Sequence, residues 1–175
     1  MGTDLTSIKA FAFDIDGVFT DGGMLCDLDG ELFRTFDAKD SFGVRMAVMN
    51  HYPVAILTGG HSRSIVQRFL SCGLEEADIY LGSCDKLRDL DDFCRRKGLS
   101  PKDIVFMGDD LPDLPVIRAV GLGACPCDAV REVREAAAWV SPLPGGKGSV
   151  RHLIESVLQA QDRWIFRVDV YQSMY

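Results

Sequence analysis

Short apolar runs that stop at charged or hydroxyl-bearing residues, alternating with segments of helical periodicity, constrain this chain more than any other feature. Residues 8–13 run into Asp14 and Asp16, residues 53–58 end at Thr58 and Gly59, and "DIVFMG" runs into Asp109 and Asp110. Runs this short and this apolar read as strands buried on both faces. The segments between them read as helices. "SRSIVQRFLSCGL" is amphipathic and is expected to close at Gly73, while "CDKLRDLDDFCRRKG", opened by Lys86, is stopped by Gly98. "AKDSFGVRMAVMN" places Phe42, Met46, Val48 and Met49 at helical spacing, "ADIYLG" reads as a short strand, and a last helix over 150–160 puts Val150, Leu153, Ile154, Val157 and Leu158 on one face. Repeated strand–helix units imply an α/β chain with a mostly parallel sheet flanked by helices. At 175 residues without linker or repeat, a single domain over 1–175 is expected.

Two segments stand outside that alternation. Residues 23–37 read as a β-hairpin, because two short apolar stretches flank Leu28-Asp29-Gly30 and Asp-Gly signals a tight turn. The tail over 162–175, "DRWIFRVDVYQSMY", is richer in aromatics than a monomer of this size needs, and packing on a neighbouring subunit is expected. The net charge of −7 argues against a general nucleic-acid binder. No apolar run has the length of a membrane span, so no membrane insertion is expected. The six cysteines form no CxxC pair and the N-terminus lacks an apolar signal region, which together suggest reduced thiols used in core packing in a cytoplasmic protein.

In an open parallel sheet, ligands bind beyond the carboxyl ends of the strands. There the chain collects Asp14, Asp16, Thr58, Gly59, Asp109 and Asp110, with Lys86 opening a nearby helix. Singly, each has a bland reading: strand-end Asp residues form turns and caps, Thr-Gly is a turn, and Lys86 is a solvated helix residue. Jointly those readings require several independent coincidences in charges that cancel only when a metal and a phosphate are present. Oxygen ligands suit magnesium, and a lysine suits a phosphoryl group.

Other motifs fail on spacing. A calcium loop from Asp14 meets Val18, Phe19 and Leu25 at its key positions, and one from Asp27 meets Leu32 where glycine is needed. "GGKGS" at Gly145 lacks the residues of a phosphate loop, so its glycines are read as allowing a close backbone approach near the last helix. Cys125-Pro-Cys127 has no companion ligands, and of His51, His61 and His152 only His61 is placed to face the site.

Asp14-Ile15-Asp16-Gly17-Val18, Leu57-Thr58-Gly59, Lys86 and Gly108-Asp109-Asp110 occur in the order of the four motifs of the haloacid dehalogenase superfamily. "DGVFTDGG", the hairpin after it, "FDAKDSFGVRMA", "GDDLPDLPVI" and "GGKGSVRHLIESVL" resemble its capless 3-deoxy-D-manno-octulosonate 8-phosphate (KDO 8-phosphate) phosphatases. The resemblance covers most of the chain. It implies a Rossmann-like sheet with a hairpin insertion after the first strand and no cap domain, and Mg²⁺-dependent hydrolysis of a phosphorylated sugar acid in lipopolysaccharide precursor synthesis. It also implies a homotetramer in which hairpins assemble and a neighbour covers the active site.

Carried over by position, Asp14 is the nucleophile and Asp16 the general acid/base. Mg²⁺ is held by Asp14, the Asp16 carbonyl and Asp109, with Asp110 in support, while Thr58, the Gly59 amide and Lys86 hold phosphoryl oxygens. Many members of this group have arginine where Gly60 stands, which leaves Arg63, Arg68 and Arg151 as candidate partners for the substrate's carboxylate. His152 takes a place often held by Glu. A related phosphatase of nine-carbon sugar acid phosphates shares most of these motifs, so that substrate stays open.

Two readings from other classes compete. A phospho-accepting signalling domain also uses Asp, Mg²⁺, Thr and Lys, but it takes phosphate after a middle strand and pairs adjacent acids, unlike Asp14-x-Asp16. A silent module used only for oligomerisation is disfavoured by the intact Asp14, Asp16, Lys86 and Asp109.

Overall fold

A computed structural model describes residues 4–173. The first strand, β1 (Ala10–Phe13), is followed by a separate antiparallel hairpin of β2 (Leu25–Cys26) and β3 (Leu32–Phe33). Five more strands complete the main sheet: β4 (Val54–Leu57), β5 (Ile79–Tyr80), β6 (Ile104–Met107), β7 (Leu122–Cys125) and β8 (Trp139–Val140). The order is β5-β4-β1-β6-β7-β8, and every neighbouring pair is parallel. The chain leaves β1 toward β4 and β5, then returns on the far side of β1 for β6, β7 and β8. The direction of winding therefore reverses between β1 and β6, where a parallel sheet opens a crevice at its carboxyl edge.

The helices are α1 (Ala38–Met49), α2 (Arg63–Leu70), α3 (Lys86–Lys97), α4 (Leu114–Ala119), α5 (Arg131–Ala136), α6 (Ser149–Ala160) and α7 (Val168–Ser173). β1 shows how the sequence sorts them. Its phenylalanines, Phe11 and Phe13, face one layer with Val44 and Ala47 of α1, Phe69 of α2 and Leu153 of α6. Its alanines, Ala10 and Ala12, face the other with Phe93 of α3, Val116 of α4 and Val133 of α5. Each fully buried phenylalanine is worth about 1.5–3 kcal/mol relative to exposure. Phe13, Phe19 and Phe69 also meet edge to face, at 5.3 and 4.9 Å between ring centres.

α6 buries all five residues of its expected face, and Gly98 caps α3 in the left-handed conformation. α2, by contrast, ends at Leu70 with Ser71 as its C-cap, two residues before Gly73. α1 also departs from its expected stripe. Phe42 and Val48 are half-buried, while Asp40, Ser41, Gly43 and Val44 are buried with Met46 and Met49. The cause is a polar contact that apolar periodicity does not register: Asp40 accepts the backbone N–H groups of Gly148 (3.0 Å) and Arg151 (2.7 Å) at the start of α6.

The hairpin loop is longer than Asp-Gly alone suggests. The Asp27 carboxylate accepts from the amides of Asp29 and Glu31, closing a loop over 27–31. The described part of the tail packs in part on its own chain, while Ile165, Phe166 and Val168 stay exposed. Phe166 and Tyr171 pack on Phe42, and the Asn50 side chain donates to the Ile165 carbonyl; residues 174–175 lie outside the described part.

The glycine-rich segment before α6 makes the close approach its composition predicts. Gly146 N–H donates to the Val18 carbonyl at 2.9 Å, and a Cβ on Gly145 would stand 1.9 Å from the Gly17 carbonyl oxygen. Of the cysteines, Cys72, Cys94 and Cys125 are core residues and Cys127 is half-buried, but Cys26 and Cys84 are exposed, so core packing holds for only part of the set. Among the described residues, no helix is long and apolar enough to cross a membrane.

Candidate active site

The crevice between the ends of β1 and β6 holds the expected carboxylates. Asp14 follows β1 and donates its backbone N–H to the Met107 carbonyl of β6, so the two strand ends are tied together at the site itself. Carboxylate oxygens of Asp14, Asp109 and Asp113 lie within 4.8 Å of one another. Lys86, brought in by the first turn of α3, places Nζ 3.0 Å from Asp14 and 2.6 Å from Asp113, and its side chain is 7 % exposed. The other oxygen of Asp113 accepts the backbone N–H groups of Asp109 (2.9 Å) and Asp110 (3.3 Å). Asp110 accepts from Leu111 N–H, an N-cap arrangement at the turn after β6.

Charge balance in this cluster is incomplete. Burial, and then repulsion from Asp113, outweigh the attraction of Lys86 and push Asp14 up to about 7. Burial and the charges of Asp14, Asp113 and Asp110 push Asp109 up to about 8. Burial alone pulls the Lys86 ammonium down, but the two carboxylates beside it reverse that and leave it raised. Asp109 Oδ1 is buried without a hydrogen-bond partner. An unpartnered carboxylate oxygen beside crowded carboxylates suits a hard divalent cation, so the residues present fit Mg²⁺. Gly17 makes the approach possible: it has φ +83°, and a Cβ there would lie 2.0 Å from Asp109 Oδ2.

Thr58 is buried at the end of β4, and its hydroxyl accepts the Gly60 N–H at 3.1 Å. With Gly59, Lys86 and Ser83 it lines a cavity of about 620 Å³ that contains the carboxylates. Asp16 points elsewhere. Its carboxylate stands outside the Asp14–Asp109–Asp113 cluster and pairs with Arg34 of the hairpin, Nε to Oδ1 at 2.7 Å and Nη2 to Oδ2 at 2.9 Å. A second cavity of about 840 Å³ begins there, bordered by Arg34, Leu32, Gly60, His61 and Arg63, and it shares Asp16, Gly59 and Gly60 with the first.

Arg63 and His61 thus face the outer cavity. Two other candidates lie outside both cavities of this chain. Arg68 turns to Ser41 on α1 and lies over Phe36, outside both cavities. Arg151 pairs with Glu155 and stacks on Trp164 and Phe42 at 4.6 and 5.7 Å, because the tail and α1 enclose it. Sequence reasoning missed Asp113 and Arg34. The first had a signal in the three-residue spacing of Asp110 and Asp113, which suits a capping turn that points both backward. The second had none, since only the fold of the hairpin brings residue 34 to residue 16.

A family model of haloacid dehalogenase-like hydrolases matches residues 59–151. A 3-deoxy-D-manno-octulosonate 8-phosphate phosphatase from Salmonella typhi is 31% identical over 161 residues, 92% of this chain and 85% of that one. The crystal structure of such a phosphatase from Yersinia pestis matches with TM-score 0.88 and 31% identity, over 91% of this chain and 85% of its own. One from Moraxella catarrhalis, solved with magnesium, phosphate and KDO, matches with TM-score 0.87 and 28% identity over 97% and 94%. The chain belongs to the haloacid dehalogenase-like hydrolases, in the family of the KDO 8-phosphate phosphatases.

Proposed function

We propose that this protein is a Mg²⁺-dependent phosphatase that hydrolyses KDO 8-phosphate to KDO and phosphate. The observation that carries the reading is the placement of two carboxylates from one loop in different surroundings. Asp14 lies among the crowded acids beside Lys86, and Asp16 stands at the junction with the outer cavity. A phosphate ester seated against Lys86, Thr58 and the Gly59 amide directs its leaving group past Asp16. An Asp14 oxygen attacks phosphorus, the bond to the sugar oxygen breaks, and Asp16 gives that oxygen its proton. Water then attacks phosphorus, the bond to the Asp14 oxygen breaks and frees its carboxylate, and the water's proton passes to Asp16, which restores its acid form.

Mg²⁺, held by Asp14, Asp109 and the Asp16 carbonyl with Asp110 in support, neutralises phosphoryl charge. Lys86 also acts on the nucleophile, since its position between Asp14 and Asp113 keeps the Asp14 oxygen facing the phosphate.

The relatives support the eight-carbon substrate through their names, and the Moraxella structure supports Mg²⁺. Product formation in lipopolysaccharide precursor synthesis follows from that reading, and the free thiols suit a reducing cytoplasm. Exposed Leu25, Leu28 and Phe33 on the hairpin support assembly into a homotetramer, which a monomeric mass by light scattering overturns.

The test of function is phosphate release from KDO 8-phosphate and its nine-carbon analogue with Mg²⁺. Turnover of the first that disappears in Asp14→Asn establishes reaction and nucleophile. Preference for the nine-carbon ester keeps the chemistry and changes the substrate.

A further inference from the structure

Asp16 is held from outside its own loop. Arg34 belongs to a hairpin whose strands are two residues each, yet its side chain is 2 % exposed. Its two N–H···O bonds to Asp16 fix the plane of the carboxylate as well as its position, which the point charge of a lysine cannot do. The room for this guanidinium depends on residue 60. A Cβ on Gly60 would stand 3.0 Å from Arg34 Nη2 and 3.0 Å from Ile65 Cδ1, so a side chain there and Arg34 in this position compete for the same space. Gly60, Arg34 and Asp16 all border the outer cavity, where the proposed function directs the leaving group.

We propose that Arg34 is the positioning residue of Asp16. It holds the carboxylate toward the bridging oxygen of the ester, and through it the hairpin becomes part of the catalytic apparatus. The inference rests on the phosphatase reading above. Since Arg34 acts through Asp16, its removal matters most where the leaving oxygen needs a proton, and it acts on turnover more than on binding.

Three esters assayed with Mg²⁺ separate the possibilities: KDO 8-phosphate, glucose 6-phosphate, whose sugar has no carboxylate, and p-nitrophenyl phosphate, whose leaving group departs without a proton. Arg34→Ala is expected to lower kcat on both sugar esters by about 10–100-fold with KM changed less than about threefold, and to cost p-nitrophenyl phosphate at least about tenfold less. Arg34→Lys is expected to fall between wild type and alanine, and Gly60→Ala to give the same pattern more weakly. A loss confined to KDO 8-phosphate and expressed in KM overturns the inference and makes Arg34 a ligand of the substrate carboxylate. Equal loss on all three esters, or no loss, also overturns it. Wild-type enzyme that cleaves the other esters but not KDO 8-phosphate changes the substrate and leaves Arg34 testable on glucose 6-phosphate. Wild-type enzyme that cleaves none overturns the phosphatase reading and this inference together.

Discussion

The two cavities that meet at Asp16 are built by opposite means. The inner one is walled by strand ends and the first turn of α3, and at its centre Asp14, Lys86 and Asp113 are buried and bonded to one another. The outer one is walled by the hairpin and the segment after β4, where exposed residues, Arg63 among them, surround the enclosed guanidinium of Arg34. The first has the rigidity and charge that phosphoryl transfer requires of any ester. On the function proposed above, the second is where one leaving group would be told from another. Chemistry and selectivity are thus assigned to parts of the chain with different capacity to vary, because loop surfaces accept substitutions that strand ends do not.

The sharpest division comes from Asp14→Asn. With the nucleophile gone, kcat is expected to fall by on the order of 10⁴-fold or more for every ester alike, with KM nearly unchanged. Phosphate release across several substrates measures it, and residual activity that depends on the sugar would break the division. Next, Gly17→Ala should weaken Mg²⁺ by about 10–100-fold, because a Cβ 2.0 Å from Asp109 Oδ2 must displace that carboxylate. Calorimetric Mg²⁺ titration reads it, and unchanged affinity would remove Asp109 from the metal site.

The inner cavity also predicts an unusual pH dependence. Asp14, raised to about 7, and Asp109, raised to about 8, bind protons more tightly folded than unfolded. Between about pH 4 and 8 the metal-free folded state holds more protons, so its stability falls as pH rises, by at most about 1.4 kcal/mol per pH unit per group. The stabilisation is complete below the ordinary carboxylate range and lost above pH 8, and Mg²⁺ should flatten the slope. Melting curves at pH 5 to 8 with and without Mg²⁺ decide; a metal-free Tm that rises with pH contradicts the account. The smallest effect belongs to the outer wall. Arg63→Ala should raise KM for KDO 8-phosphate by only about two- to fivefold, since an exposed cation contributes on the order of 1 kcal/mol or less. An equal rise for glucose 6-phosphate would show that Arg63 reads the phosphate instead of the sugar acid.

How far each region was legible follows from the same contrast. Strand-end carboxylates announce themselves because an apolar run that stops at Asp has few other uses for it, and Asp14, Asp109 and Lys86 converge as their spacing implied. The six-stranded parallel sheet was readable because period and length distinguish buried strands from helices. Arg34 was not readable, since its partner lies 18 residues away and the link runs through a hairpin with few contacts of its own. Arg68 and Arg151 lie outside both cavities for a related reason. Their positions on α2 and α6 say which helix carries them, but Ser41, Phe36 and Trp164 decide which way a long side chain lies.

The Gly145–Gly146 segment reaches back to the loop that carries Asp14 and Asp16, and no side chain can be inserted at that seam without moving one backbone or the other. A protease cut or a stop codon just after β8 would spare every acidic group at the site and still leave that loop without its backing. Fusion partners and inserted epitopes therefore belong beyond α6, and shortened variants should be expected to lose activity well before they lose a catalytic residue.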